Sequence, residues 1–114
     1  MWNIVYSSEF EQWFFSLNED EQDSVLYSLN VLKQIGPQLG RPHVDTIQGT
    51  ELCNLKELRI QHQGYPYRAF FVFDPKRQAV VLCAGNKTGN ANLFYKTMVT
   101  IAIQIYKRYL QEIE

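Results

Sequence analysis

Three basic side chains, Arg59, Arg68 and Lys87, fall in or beside segments whose alternating apolar pattern predicts neighbouring strands. A turn centred on Gln63-Gly64 puts Arg59 opposite Arg68 on one face of a hairpin. A second turn centred on Lys76-Arg77 puts Arg68 opposite Gly85, with Lys87 one same-face step further along. Like charges directly opposite each other cost stability, so the arrangement needs an anionic ligand or a carboxylate partner. Phosphate fits the first description. Glu57, on the same face, fits the second, and an Arg59-Glu57-Arg68 surface network without any ligand is the alternative reading.

The other polar residues offer less. The glycine-flanked loop Gly85-Asn86-Lys87-Thr88-Gly89 lacks the glycines of a Walker A motif, because Val81 and Asn86 stand where they would be needed. Gly85 and Gly89 still permit a turn that presents Lys87. His43 and His62 lie in segments of turn composition, with no Cys, Asp or Glu at metal-ligand spacing, so no metal is expected. His62 could serve as an acid or base if the hairpin tip folds over the arginines, but it reads first as a solvent-exposed turn residue. Tyr95 follows Lys87 closely and could offer its hydroxyl to a phosphate, or simply pack in the core. No serine has a histidine and an acid arranged around it.

The elements that must position these residues fit a single domain spanning 1–114, with 46% apolar and 20% charged residues. Cys53 and Cys83 suggest neither a disulfide framework nor a zinc site. No apolar run approaches the roughly 20 residues of a membrane span, and the N-terminus lacks a signal-peptide pattern, so a cytoplasmic protein without membrane contact is expected. The formal net charge of −1 conceals a split. Residues 1–55 carry two bases against eight acids, a balance of −6, and residues 56–114 carry nine bases against four acids, a balance of +5. The basic half could meet phosphate, although two solvated faces of opposite sign would give the same numbers.

Along the chain, Trp2–Tyr6 reads as a strand, and Ser8-x-x-Glu11 as a capping box opening a short amphipathic helix with Phe10, Trp13, Phe14 and Leu17 on one stripe. Asn18 and three following acids start a second helix, with Val25, Leu26, Leu29 and Leu32 inward and a stop at Gly36-Pro37. Residues 36–54 read as a long loop. Three strands follow at 55–60, 67–73 and 79–84, the last two apolar on both faces and therefore in need of cover on both sides. A final helix, with Phe94, Met98, Ile101 and Ile105 on one stripe, supplies the second cover. The order is strand, helix, helix, three-stranded meander, helix: an α+β domain with a twisted antiparallel sheet, two N-terminal helices on one face and the C-terminal helix partly covering the other.

The segments Leu55-Lys56-Glu57-Leu58-Arg59, Tyr67-Arg68-Ala69-Phe70-Phe71, Val81-Leu82 and Gly85-Asn86-Lys87-Thr88-Gly89, in this order and spacing, resemble the RelE/ParE superfamily of bacterial type II toxin–antitoxin modules, in its HigB-like, phage-derived branch. Phe94-Tyr95, followed by Ala102 and Tyr106, resembles the terminal helix of that branch. The resemblance covers nearly the whole chain. It implies a toxin that inhibits translation as a ribosome-dependent mRNA endonuclease and is silenced by a cognate antitoxin, expected to be a helix-turn-helix protein. Such toxins cleave without metal or cofactor: a 2′-hydroxyl attacks the adjacent phosphate, and basic side chains stabilise the charge that builds on phosphorus. The resemblance assigns catalytic roles to Arg59, Arg68 and Lys87, with Glu57 orienting Arg59 or taking a proton. It makes Lys56, Tyr95 and Lys96 RNA contacts, Tyr95 also being open to an acid–base role. The slightly acidic chain and the missing C-terminal histidine keep two alternatives, a non-catalytic ParE-like inhibitor of DNA gyrase and an inactive remnant that only binds antitoxin.

Overall fold

The computed structural model describes residues 1–113 except Cys53; the sequence expectation about Cys53 lies outside the described residues. The elements are β1 (Asn3–Tyr6), α1 (Ser8–Phe15), α2 (Glu19–Ile35), a 3-10 turn (Gly36–Gln38), β2 (Val44–Thr46), β3 (Lys56–His62), β4 (Tyr65–Asp74), β5 (Gln78–Asn86) and α3 (Ala91–Glu112). They form an α+β fold on one five-stranded sheet ordered β1-β5-β4-β3-β2.

Local chemistry explains the boundaries. Ser7, one residue before the expected cap, starts α1: its Oγ accepts from the Phe10 N–H at 2.9 Å and donates to the Leu82 carbonyl, tying the helix to β5. Asn18 and Glu21 form a reciprocal capping box at α2. Gly36 ends α2 at φ +73°, where a Cβ would collide with the Trp2 ring at 2.4 Å. The β3–β4 turn takes positive φ at both Gln63 and Gly64, the twist that a two-residue hairpin needs.

Two expectations about the sheet are corrected. It is mixed rather than antiparallel, because β1 pairs parallel with β5. Strand direction leaves no trace in a four-residue apolar segment, and β1 reaches β5 only after the chain has passed through both N-terminal helices. In addition, the expected loop 36–54 contains the 3-10 turn and β2, which pairs antiparallel with β3 through Val44↔Leu58, Asp45↔Glu57 and Thr46↔Lys56. Three residues are too few to show a period.

Alternating residues of the sheet feed two cores. Val25, Leu29, Leu32, Leu58, Ile60, Phe71 and Val81 are buried under α1 and α2. Phe70, Val72, Val80 and Leu82 are buried under Ala102 and Ile105 of α3 on the other face. Leu26, expected inside, is 49% exposed, because Val25, Leu29 and Leu32 already define the inward stripe and Leu26 lies about 100° round from Val25.

Candidate functional site

The hairpin registers bring the three bases together. Arg59 pairs with Arg68 and Arg68 with Gly85, while the Lys87 N–H donates to the Pro66 carbonyl and carries the chain one step past the end of β5. These residues occupy the face that α3 covers, at the end where α3 begins. Position 85 admits no side chain without crowding Phe94, at 3.1 Å from a Cβ, which keeps the floor between Arg68 and α3 low.

Glu57 is the hub. Its carboxylate is buried and accepts from the Tyr95 hydroxyl at 2.6 Å; Arg68 Nε approaches the same oxygen to 3.4 Å, and an Arg59 terminal nitrogen approaches the other to 3.5 Å. The network offered as the alternative reading exists but is buried at its centre rather than on the surface: Glu57 is 4% and Arg68 5% exposed. Arg68 Nη1 donates to its neighbour's carbonyl at Tyr67, but Nε is too poorly aligned with Glu57 for a hydrogen bond. Arg59 Nε is likewise buried without a hydrogen-bond acceptor. Buried donors left unmatched are costly and are sites where an incoming acceptor gains most.

Electrostatics point the same way. Lys87 Nζ lies 5.7 Å from the centre of the Tyr95 ring and makes no ion pair among the described residues. Burial, then the neighbouring Arg68 cation, lowers its pKa from the ordinary lysine value. Burial, then the bond to Glu57, raises the Tyr95 pKa, so its phenol stays protonated at neutral pH and acts as a donor.

Asp45 is a member that the sequence reading missed. It faces Glu57 across β2–β3 and accepts from Arg59 at 3.3 Å and from Arg41 at 2.8 Å. The bond from Arg41 is the main cause of its lowered pKa. Its only signal was an acid between Val44 and Thr46 in an apparently structureless segment. Arg59, Arg68 and Lys87 thus face two carboxylates, with Arg41 at the rim, and the balance stays positive.

Other expected site residues stand elsewhere. Lys56 is adjacent to Glu57 in β3 and so projects to the opposite face, where its Nζ bonds Thr46 Oγ1 at 2.9 Å. Lys96 is exposed on α3, outside the cluster, at the rim of a shallow groove that it shares with Tyr95 and the 47–51 segment. His62 is neither in the turn nor solvent-exposed: it ends β3, half-buried on the α2 side, where Nδ1 bonds Ser24 Oγ at 2.8 Å and the ring stacks on Tyr67. The alternation of β3 therefore keeps His62 off the arginine face.

Comparison with known proteins agrees with the fold and extends beyond it. Residues 12–107 match the family of phage-derived Gp49-like proteins. A Mycobacterium tuberculosis protein named as toxin HigB3 is 39% identical over 107 residues, 94% of this chain and 92% of its own length. A second protein of that organism, named as toxin HigB2, is 38% identical over 90% of this chain, which spans only 51% of that longer relative. Among solved structures, a substituted Escherichia coli toxin RelE in the free state aligns with a TM-score of 0.58 at 10% identity, covering 99% of this chain and 98% of its own. The archaeal RelE–RelB complex from Pyrococcus horikoshii aligns at 0.57 and 14% identity, covering 78% of this chain and 98% of its own. The chain belongs to the phage-derived Gp49-like family, in the HigB branch of the toxins that share the RelE-like fold.

Proposed function

We propose that this chain is the toxin of a toxin–antitoxin pair and that it cleaves mRNA on the ribosome with the cluster around Arg68. The observation that carries the reading is the buried Arg68 guanidinium, with an unmatched Nε, set directly opposite Arg59 and near Lys87, which makes no ion pair among the described residues. A sheet tolerates such a concentration of like charge only with a compensating anion, and the two carboxylates present leave a positive balance. A phosphodiester whose 2′-hydroxyl attacks the adjacent phosphorus gains a second unit of negative charge in the transition state. The P–O5′ bond breaks as the P–O2′ bond forms, the 2′-hydroxyl proton leaving to water and the 5′-oxygen taking one up, which leaves a 2′,3′-cyclic phosphate and a 5′-hydroxyl. Arg59, Arg68 and Lys87 would stabilise the charge on the non-bridging oxygens. Glu57 would hold Arg68 and Tyr95 in place, with Tyr95 supplying a further donor. The ribosome would supply much of the in-line alignment of the 2′-hydroxyl. A ribosomal target makes the cytoplasm the site of action.

The antitoxin partner rests on the HigB relatives and on the RelE–RelB complexes among the structural neighbours. The test is a programmed-ribosome cleavage assay mapped by primer extension, with co-expression and co-purification of whatever small protein the neighbouring reading frame encodes. Arg68→Ala should retain that protein and lose cleavage by about a hundredfold to a thousandfold, the effect of removing one charge-stabilising contact from a transition state. Glu57 keeps Tyr95 and Arg59 as partners in that variant, so the domain should still fold. Intact mRNA with inhibited gyrase in poisoned cells would instead select the ParE-like reading.

A further inference from the structure

Arg59 belongs to two surfaces. Its terminal nitrogen reaches Asp45 and Glu57 in the phosphate cluster. The same side chain also lines an open polar groove of about 420 Å³ at the outer edge of the sheet, together with Asp23, Ser24 and Tyr27 of α2, His43 and Gln61. The groove exists because β2 is short. It pairs only with Lys56–Leu58, and the Arg59 N–H donates to the His43 carbonyl at 2.8 Å, so among the described residues no strand covers the outer edge of β3 beyond that point. One wall is therefore an open strand edge. The other is a turn of α2 that carries Tyr27, 70% exposed, and Ser24, which His62 fixes from behind through the 2.8 Å bond.

Resting on the reading that this face cleaves RNA, we propose that the groove is a nucleobase subsite, which takes the base of a nucleotide flanking the scissile phosphate and so sets sequence preference. The chemistry of the lining suits a base and fits a bare phosphate poorly. An exposed phenol ring offers a stacking platform. Asp23, Ser24, His43 and Gln61 offer both donors and acceptors, the combination that reads a base edge. The Asp23 carboxylate would repel an anion. Arg59 joins the two parts: a phosphate held by Arg59 and Arg68 leaves its neighbouring base at the mouth of the groove.

The experiment compares wild type, Tyr27→Ala, Tyr27→Phe and Gln61→Ala in ribosome-dependent cleavage, with every cut site mapped by primer extension across several messages. Both positions are solvent-facing, so the three variants should remain folded, which thermal unfolding checks. Tyr27→Ala should reduce kcat/KM by about tenfold, the loss of one stacked base, and flatten the base preference at one position beside the cut. Tyr27→Phe should keep both, because the ring is retained. Gln61→Ala should change which base is preferred at that position with a smaller loss of rate. Wild-type rate and an unchanged cut-site pattern in both Tyr27→Ala and Gln61→Ala would overturn the subsite while leaving the nuclease reading intact. Absence of cleavage by wild type itself would overturn the nuclease reading, and the subsite with it. A rate loss in Tyr27→Ala with base preference unaltered would assign Tyr27 to ribosome docking and also overturn the subsite.

Discussion

Successive residues of β3 and β4 meet two different environments. On the α1–α2 side, Leu58, Ile60, Ala69 and Phe71 are closed over by apolar side chains, and the few polar groups are matched in pairs: Tyr67 donates to Glu21, and Ser24 bonds His62. On the α3 side the same strands bury Phe70 with Glu57 directly opposite it and, one step further along the face, Arg68 opposite Arg59, each with an Nε donor left over. Taking ions out of water costs several kcal/mol each unless geometry and hydrogen bonds compensate. The first face needs nothing more to be stable. The second keeps buried donors without acceptors among the described residues, and on the proposed function this difference separates the residues that hold the domain together from those that would bind the phosphate.

Perturbing each face separately tests that division. The largest effect on stability should come from Phe71→Ala, which empties a fully buried aromatic position on the α1–α2 side and should cost about 3–5 kcal/mol in a urea titration. Cleavage per folded molecule should not change; a loss of rate in the folded fraction would show that the two faces are coupled. Tyr95→Phe, on the other side, should remove the hydroxyl from Glu57 and cost about 1.5 kcal/mol of stability, the value of a hydrogen bond to a charged group. If Tyr95 also donates to the phosphate, its cleavage rate falls further than stability alone explains, whereas an unchanged rate would confine it to positioning Glu57.

The smallest effect should come from the ion pair that links the two layers at the sheet's far edge, Arg108 of α3 with Glu9 of α1 at 2.6 Å. The hydrogen bonds from Arg108 lower the Glu9 pKa to about 2. A depressed carboxyl contributes stability that is fully present above its unfolded pKa of 4.5 and is lost as pH falls from there towards 2. Both side chains are more than a third exposed, so screening keeps the contribution below about 1 kcal/mol. Glu9→Gln should accordingly lower the midpoint slightly at pH 7 and flatten the acid limb between pH 4.5 and 2, measured by thermal unfolding across pH. An acid limb and a neutral-pH midpoint both unchanged from wild type would indicate that the pair contributes nothing to holding the layers.

The sequence by itself determined everything that repeats over a few residues. Capping at Asn18, the inward stripe of Val25, Leu29 and Leu32, the stop at Gly36 and the hairpin turn at Gln63-Gly64 are local, and a turn's position fixes which residues face each other across a ladder. That is why Arg59, Arg68 and Lys87 could be grouped with no contact known. The tertiary structure alone decided what joins segments distant in the chain. The parallel pairing of β1 with β5, the seating of Asp45 opposite Glu57, and the reach of Tyr95 across 38 residues to Glu57 depend on how helices pack onto a sheet, which no local period encodes. Lys56 and His62 show the same boundary from the other side. Their chemistry was visible, and so was the strand of Lys56, whereas His62 read as a turn residue; a side chain's use depends on which face the strand alternation gives it and on what the fold has laid against that face.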